Sequence, residues 1–310
     1  MKQKLIQILP PSWLEAGRSL KFLLHGDYLR LRRRLEELER AYHLSAQSSL
    51  PAYHGVLGPY RYQSTINRYE HRVYSQNGED GILLYLFSLL GTTDRRFVEF
   101  GIGNGKQCNT ANLSLNFGWS GLLMDIDPSN VQAAQAYYDQ QLGQEARHVQ
   151  VIQAKVTADN INQILTNQGY TGELDLLSID IDSNDYWVWH AIEVIQPRLV
   201  VIEYNASFGN QRRLVVPYQA NFRANAAHVS GFYHGASLAA LASLGKQKGY
   251  ILAGCESAGI NAFFVRQDVA QGKLVPQSPA DAYFPHAYRT ALMNPAAQFN
   301  LISHLPFTEL

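Results

Sequence analysis

Residues 97–105, with the sequence FVEFGIGNG, constrain the fold of this 310-residue chain more than any other stretch. An apolar run that contains one acid, Glu99, ends in three glycines at alternate positions, Gly101, Gly103 and Gly105. A continuous apolar run is typical of a strand that is buried on both faces of a parallel sheet. Glycines permit positive φ and let bare backbone approach a ligand, so the stretch predicts a strand that turns sharply beneath a bound molecule.

A second apolar run, at residues 121–124, ends in Asp125, which lies at the distance from Gly101 where nucleotide-binding βαβ units place a ribose-binding carboxylate. The glycine spacing differs from the dinucleotide fingerprint, because Lys106 occupies the position of the third glycine of that fingerprint. We therefore predict a nucleoside ligand without a pyrophosphate, and S-adenosylmethionine (SAM) fits. In that arrangement Asp125 binds the ribose, the glycine turn lies under the methionine portion, and Glu99 fixes the turn or the amino group.

From residue 78 onward, apolar runs alternate with amphipathic segments, which predicts a mostly parallel sheet with helices on both faces. The predicted strands lie at residues 97–100, 121–125, 148–153, 174–180, 198–204, 250–256 and 261–266, and the predicted helices at 78–91, 106–117, 128–141, 158–168, 185–194 and 236–248. The last two strands are joined by a connection too short for a parallel crossover, so we expect them to pair antiparallel.

Seven motifs in this order resemble those of class I SAM-dependent methyltransferases, and of the FkbM-type group in particular. They are YSQNGED at 74–80, VEFGIGNG at 98–105, NT at 109–110, GWSGLLMD at 118–125, DLLSIDID at 175–182, VIEYN at 201–205 and GINAFFVR at 259–266. The resemblance implies an α/β fold with a Rossmann-like class I methyltransferase sheet, mostly parallel with an antiparallel last strand. That reversed strand distinguishes it from a dehydrogenase sheet. The resemblance also implies that Gln76 contacts SAM.

Ligands in such sheets bind beyond the carboxyl ends of the strands, near the switch in strand order. We therefore predict that the cofactor site is formed by Gln76, Glu99, Gly101, Gly103, Asn104, Gly105, Asp125 and Asp180. The acceptor side is predicted from the acids that follow the fourth and fifth strands, namely Asp180, Asp182 and Glu203.

Two interpretations of these acids remain open at the sequence level. In one, Asp180, Glu203 and Asn205 bind Mg²⁺, which activates the acceptor hydroxyl, as in the metal-dependent O-methyltransferases that this pattern resembles. In the other, Asp180 contacts the methionine amino group, and Asp182, Glu203 or a histidine such as His228 or His234 acts as the general base. Asp182 and Asp185 could equally cap the following helix, together with Ser183 and Asn184.

Residues 1–62 are predicted to form an N-terminal helical appendage and linker, and residues 63–310 the SAM-dependent methyltransferase domain. Leucine and tyrosine recur at spacings of three and four over residues 24–42, which gives a helix with one apolar stripe. That stripe either packs on its own chain or pairs in a homodimer. Basic residues outnumber acidic ones in the appendage, which would support weak peripheral contact with an anionic membrane surface.

The composition argues against several functional classes. Lys+Arg and Asp+Glu both total 26, so no overall field favours nucleic acid as a partner. No apolar run approaches the roughly 20 residues of a transmembrane helix. Cys108 and Cys255 have neither disulfide nor metal-site spacing, which is typical of a reducing compartment. We expect a cytoplasmic protein without a transmembrane segment.

These features together predict a SAM-dependent O-methyltransferase that acts on a hydroxyl of a sugar, glycan or natural-product acceptor. The stretch at residues 206–235 lacks regular periodicity and is predicted to be a lid or acceptor-binding loop. A non-catalytic scaffold protein of glycan assembly with a SAM fold is one alternative. An NAD-dependent oxidoreductase is another, disfavoured by the glycine spacing and by the reversed last strand.

Overall fold

The computed structural model describes residues 66–310. The predicted helical appendage at residues 1–62 lies outside the described residues, and so do the homodimer seam and the membrane contact that were predicted from it. Within the described part, no helix is both long and apolar enough to cross a membrane.

A seven-stranded sheet forms the centre of the described structure. Its strands are β1 (Arg96–Phe100), β2 (Ser120–Asp125), β3 (Val149–Gln153), β4 (Gly172–Ile179), β5 (Ile195–Glu203), β7 (Tyr250–Cys255) and β8 (Asn261–Arg266). The short strands β6 (Leu214–Val215) and β9 (Thr308–Glu309) form a separate two-stranded sheet. The order in the large sheet is β3-β2-β1-β4-β5-β8-β7, with β1 to β5 parallel and β8 antiparallel to both of its neighbours. This is the predicted Rossmann-like class I methyltransferase sheet. The reversed last strand is confirmed, and it lies between β5 and β7.

Helices cover both faces of this sheet. They are α1 (Glu79–Leu90), α2 (Ala111–Phe117), α3 (Pro128–Leu142), α4 (Ile161–Asn167), α5 (Asp185–Ala191), α6 (Ala224–Ala227), α7 (Leu238–Gln247), α8 (Gln267–Ala270), α9 (Pro279–Ala282), α10 (Ala287–Leu292) and α11 (Pro295–Ile302). Short 3-10 helices lie at Ile66–Tyr69, Gly143–His148 and Ala206–Phe208. All six predicted helices are present, but α2 begins at residue 111 and not at 106.

Alternate residues of each strand face two different apolar cores, as the period of two of a strand requires. In β1, Phe97 belongs to the core formed with α1, α2 and α3, whereas Val98 belongs to the core formed with α4, α5 and α7. Both side chains are fully buried. Burial on both faces explains why the strands are nearly continuous apolar runs in the sequence.

A third apolar cluster connects the stretch at residues 206–235 with the C-terminal helices. Its buried members are Phe208, Leu214, Val216, Tyr233 and Ile302. The two-residue strand β6 pairs antiparallel with β9 near the C-terminus. The stretch that the sequence predicted to be a lid or acceptor-binding loop is therefore packed around its own small core, which we call the C-terminal cluster.

Candidate functional site

The candidate site lies at the carboxyl ends of β2, β1, β4 and β5, which are neighbours in that order. The chain leaves β1 toward β2 on one side, and β4 lies on the other side. The switch in strand order therefore falls between β1 and β4, where open α/β sheets bind ligands. The topology brings the glycine turn, Asp125, Asp180 and Glu203 to the same edge of the sheet.

The three glycines after β1 all have positive φ, at 83°, 54° and 76° for Gly101, Gly103 and Gly105. A Cβ built on Gly101 would lie 1.4 Å from the carbonyl oxygen of Asp180, and one on Gly105 would lie 2.8 Å from the Cβ of Ala134. Among the described residues, no heavy atom outside the adjoining chain lies within 4 Å of a Cβ built on Gly103. Close packing leaves no room for a side chain at Gly101 or Gly105, whereas the side of the turn at Gly103 is open.

Asp125 connects the ends of β1 and β2. Its Oδ2 accepts a hydrogen bond of 2.8 Å from the backbone N–H of Gly103. Its Oδ1 accepts from the N–H of Asp127 at 2.8 Å and from the amide of Asn130 at 3.2 Å. Each carboxylate oxygen offers two acceptor positions, so Oδ2 can accept one more hydrogen bond. The next residue, Ile126, exposes 59% of its surface beside this carboxylate.

Glu99 fixes the chain that follows the glycine turn. Its buried carboxylate accepts hydrogen bonds from the N–H of Asn109 at 2.9 Å, from the N–H and hydroxyl of Thr110 at 3.0 and 2.5 Å, and from the hydroxyl of Ser178 at 3.2 Å. Burial raises the pKa of Glu99, and these hydrogen bonds act in the opposite direction. These contacts hold the chain just after the glycine turn, and the predicted contact of Glu99 with the cofactor stays a prediction.

Gln76 and Asn104, which were predicted to contact the cofactor, are both exposed. Gln76 follows a short segment whose three backbone N–H groups, at residues 73–75, donate to Oδ2 of Asp80 at 2.7–2.8 Å. Burial raises the pKa of Asp80 to about 6. Asp80 therefore sets the path of the chain on which Gln76 lies.

The acids after β4 and β5 form a cluster of mutually repelling carboxylates. Burial, and then the charges of neighbouring acids with Asp182 first, raise the pKa of Asp180 well above its ordinary value. Burial, and then the charges of Asp180 and Asp182, have the same effect on the pKa of Glu203. Strongly perturbed carboxylates in a cleft are typical of functional sites.

Asp182 itself is exposed and has a φ of 53°, in the left-handed region that non-glycine residues rarely adopt. The buried carboxylate of Asp185 holds this turn, because its two oxygens accept from the N–H groups of Ile181 at 2.8 Å and Ser183 at 3.0 Å. Residues kept in such conformations concentrate at functional sites. Asp185 therefore stabilises the turn before α5, and the N-cap residue of that helix, Asn184, makes no side-chain capping hydrogen bond. The carboxylate of Asp182 is left exposed.

His234 and Arg289 complete this side of the site. His234 is 2% exposed, its Nδ1 lies 3.9 Å from Oε2 of Glu203, and its Nε2 lies 3.0 Å from Nη2 of Arg289. Burial and the charge of Arg289 lower the pKa of His234 to about 3, so the ring is neutral. The sequence analysis named His234 as one candidate base but missed Arg289, which lies on α10 well beyond the last strand of the sheet.

The predicted metal ligand Asn205 does not have a free oxygen. Its Nδ2 donates to the carbonyl oxygens of Phe232 at 2.7 Å and His234 at 2.9 Å. Its Oδ1 accepts from the N–H of Ser207 at 3.0 Å and from Nη1 of Arg289 at 3.3 Å. These contacts stabilise the loop after β5 and correct the prediction that Asn205 binds a metal ion.

A different trio, Asp182, Glu203 and His234, brings potential ligand atoms within 4.8 Å of one another. However, a nitrogen binds a metal ion only through a lone pair. Arginine can only donate, so the lone pair on Nε2 of His234 accepts from Arg289 and the proton of the neutral ring is on Nδ1. The donor set therefore does not fit Mg²⁺.

Comparison with solved structures finds class I methyltransferases at low identity. The methyltransferase domain of bacterial CtHen1 is 15% identical, with 60% of this chain and 96% of that chain covered and a TM-score of 0.38. The magnesium protoporphyrin IX methyltransferase of Synechocystis PCC 6803 with bound SAM is 14% identical, with coverages of 61% and 77% and a TM-score of 0.38. A putative O-methyltransferase of Klebsiella pneumoniae is 19% identical, with coverages of 60% and 77% and a TM-score of 0.36. No protein-family profile and no curated protein sequence matches the chain.

These identities and TM-scores are low, so the fold assignment rests on the strand order of the sheet and on its reversed strand. The function must be argued from the side chains at the site.

Proposed function

We propose that this chain is a SAM-dependent O-methyltransferase of the FkbM type, which transfers a methyl group to a hydroxyl of a sugar, glycan or natural-product acceptor. One observation supports this proposal above all others. The open side of the turn at Gly103 and the carboxylate of Asp125 lie next to each other at the switch in strand order. Bare backbone beside a carboxylate suits a nucleoside with a ribose diol.

The residues at this edge of the sheet suit the separate parts of SAM. The remaining acceptor position on Oδ2 of Asp125 would bind a ribose hydroxyl, and the exposed Ile126 would cover one face of the base. Asp180, beside the glycine turn, would bind the methionine amino group, and the exposed Gln76 and Asn104 remain candidate contacts. When bound, SAM supplies a methyl group on a positively charged sulfur.

The acids beyond β4 and β5 would then act on the acceptor. Asp182 or Glu203 takes the proton of the acceptor hydroxyl as general base while the carbon–oxygen bond forms and the carbon–sulfur bond breaks. A nearby positive charge favours ionised carboxylates, so the sulfonium would lower the raised pKa values of Asp180 and Glu203 toward values suited to a base. Much of the rate in such a transfer comes from holding the two reactants in line.

Calorimetric titration of SAM into the full-length protein tests the proposal. We expect the wild type to bind SAM and Asp125→Ala to bind it at least about tenfold more weakly, as loss of a charge-assisted hydrogen bond predicts. Asp127→Ala is the matched control, because Asp127 caps α3 through the N–H of Ser129 at 2.8 Å and does not face the glycine turn. Its SAM affinity should equal that of the wild type.

Three other results would argue against parts of this proposal. Absence of SAM binding by the wild type would favour the non-catalytic scaffold. Binding of NAD in place of SAM would favour the oxidoreductase. Equal SAM affinity in Asp125→Ala and the wild type would remove the ribose assignment.

A further inference from the structure

The proton on the ring of His234 can be assigned from its neighbour Arg289. A guanidinium has five N–H donors and no acceptor, so the 3.0 Å contact from Nη2 requires an unprotonated Nε2. The neutral ring then has its proton on Nδ1. That Nδ1 is buried and has no hydrogen-bond partner within residues 66–310.

The orientation of His234 is fixed from both ends. Arg289 binds Nε2 of the ring with one nitrogen and Oδ1 of Asn205 with the other. The amide of Asn205 in turn donates to the backbone carbonyl of His234 at 2.9 Å. Ring and backbone of His234 are thus tied to the same pair of residues, and the unpartnered Nδ1 lies 3.9 Å from Oε2 of Glu203.

Three polar atoms surround the space in front of this N–H. One oxygen each of Asp182 and Glu203 and a ring nitrogen of His234 all lie within 4.8 Å of one another, and Nδ1 of His234 lies 3.9 Å from Oε2 of Glu203. An atom placed equally far from three atoms at such separations lies about 2.8 Å or less from each of them, which is within the range of hydrogen bonds to oxygen. Mg²⁺ would need ligands at about 2.1 Å and a lone pair on every one of them.

We propose that these three atoms bind the reacting oxygen of the acceptor, with the Nδ1–H of His234 as a fixed donor to it and Glu203 as the base that takes its proton. This assignment rests on the proposed function. The O–H bond breaks toward the carboxylate of Glu203, the new bond joins that oxygen to the methyl carbon, and the electron pair of the carbon–sulfur bond stays on sulfur. His234 is then a catalytic residue and Arg289 a positioning residue.

The arrangement selects among acceptor classes. A hydroxyl oxygen accepts one hydrogen bond and donates another, which matches one N–H and one carboxylate. An ammonium group only donates, so it would leave the buried Nδ1–H without a partner, at a cost of about 1–3 kcal/mol. The site therefore takes an alcohol in preference to an amine that is protonated at neutral pH, and it does so without a metal ion.

The position of the proton can be measured directly on the full-length wild-type protein with SAM bound. Long-range ¹H–¹⁵N correlation spectra of the histidine rings should show His234 protonated on Nδ1, and Arg289→Met should reduce that signal without weakening SAM binding. Addition of Mg²⁺ alone should leave the His234 signals unchanged. A proton on Nε2 in the wild type, or a shift of these signals with Mg²⁺, would overturn the assignment.

Two substitutions at His234 separate a catalytic role from a structural one. His234→Leu removes the donor and should lower methyl transfer by about 100-fold or more, while SAM affinity stays unchanged. His234→Asn places an amide N–H near the position of Nδ1 and should restore part of the rate. The two variants must have the same free energy of unfolding for the comparison to hold. Equal rates of methyl transfer in both variants would overturn the role of the N–H.

The preference for hydroxyl acceptors has its own readout. Labelled SAM is incubated with neutral monosaccharides and, in parallel, with the corresponding hexosamines, and the methylated atom is identified. Methyl transfer to oxygen supports the inference, and preferred transfer to the amine nitrogen overturns it. If the protein binds no SAM, the proposed function itself fails; if it binds SAM and the ring proton is on Nε2, only this inference fails.

Discussion

At the scale of single residues, backbone conformation identifies a functional candidate that residue type alone does not. Within residues 66–310 the non-glycine residues with positive φ are Arg95 at 56° and Asp182 at 53°. Arg95 is exposed beside the amino end of β1, remote from the site. Asp182 lies near Glu203 and His234, on the proposed acceptor side of the site. The two therefore have the same backbone strain and should differ in their effect on activity.

Replacement of Asp182 by glycine should stabilise the protein and reduce its activity. Glycine has no Cβ to clash in the left-handed region, so the free energy of unfolding should rise by up to about 1 kcal/mol. Methyl transfer should fall by at least about tenfold, because the carboxylate is lost from the acceptor site. The measurements are urea unfolding and transfer from labelled SAM to the monosaccharides.

Arg95→Gly is the control for this prediction. It should give a similar gain in stability with unchanged methyl transfer. Unchanged methyl transfer in Asp182→Gly would contradict the placement of Asp182 in the acceptor site.

At the scale of elements, the glycine turn contains two kinds of glycine that a sequence motif treats alike. At Gly101 an added Cβ would overlap the backbone of Asp180, whereas at Gly103 it would enter the open side of the turn. Gly101→Ala should therefore lower the free energy of unfolding by about 3 kcal/mol or more. Gly103→Ala should cost only about 1 kcal/mol and should weaken SAM binding by at least about tenfold.

Gly118 provides a matched control for Gly103. Its φ is 68°, and a Cβ built there has no other described heavy atom within 4 Å, but it lies at the end of α2. Gly118→Ala should cost about 1 kcal/mol and leave SAM affinity unchanged. Equal SAM affinities for Gly103→Ala and the wild type would mean that the ligand does not approach the backbone at Gly103.

The strands could be predicted from the sequence because burial on both faces makes them apolar runs, and because the short connection before β8 forces an antiparallel pair. The start of α2 could not, because Glu99 binds the N–H groups of Asn109 and Thr110 and keeps the chain before them out of the helix. These hydrogen bonds join a strand to residues ten and eleven positions later in the chain. The residues near the start of α2 do not by themselves predict them.

The acceptor side of the site was predicted less completely, for a similar reason. Asn205 lies two positions after the acid Glu203 and not next to it, as the amide of the metal-binding pattern would lie, and the carbonyls of Phe232 and His234 engage its amide group. The sequence around Arg289 contains no motif that marks it as a site residue. The packing of α10 brings its guanidinium against His234 and its charge near Glu203. The sequence could place Gly103, Asp125 and Glu203 at one edge of the sheet because all three lie at or just after strand ends, whereas long-range packing places Arg289 beside His234.

At the scale of the whole molecule, the C-terminal cluster supports the acceptor half. Ile302 of α11 is fully buried in it, and Gln298 of the same helix accepts from the hydroxyl of Ser207 at 2.6 Å. Ile302→Ala should lower the free energy of unfolding by about 2–4 kcal/mol. Because His234 directly follows Tyr233 of this cluster, methyl transfer should fall more than SAM affinity.

Ile195→Ala is the control for that substitution. Ile195 is also buried but begins β5, at the end of the sheet opposite the site. At a temperature where both variants are folded, Ile195→Ala should keep both methyl transfer and SAM affinity. Loss of SAM affinity in Ile302→Ala equal to its loss of methyl transfer would contradict a specific role of the C-terminal cluster.

The buried acids near the site make the stability of the whole molecule depend on pH in a definite direction. Burial raises the pKa of Asp80 and of Asp185 to about 6 and that of Glu256 to about 7. Between their ordinary values near 4 and these raised values, the folded protein binds more protons than the unfolded chain. The free energy of unfolding should therefore decrease as pH rises from about 4 to about 7.

Asp80→Asn isolates one of these contributions. All three backbone N–H groups bind Oδ2 of Asp80, and its Oδ1 has no partner in the described part of the chain, so an asparagine oxygen can replace the acceptor while the charge is lost. At about 1.4 kcal/mol per pKa unit, the variant should lose about 2 kcal/mol of the decrease between pH 4.5 and pH 7.5, because part of the pKa shift lies below pH 4.5. Urea unfolding at pH 4.5 and pH 7.5 measures it, with the exposed Asp139→Asn as a control that keeps the wild-type decrease. A wild-type decrease in Asp80→Asn would mean that the carboxyl of Asp80 is ionised in the folded protein at the same pH as in the unfolded chain.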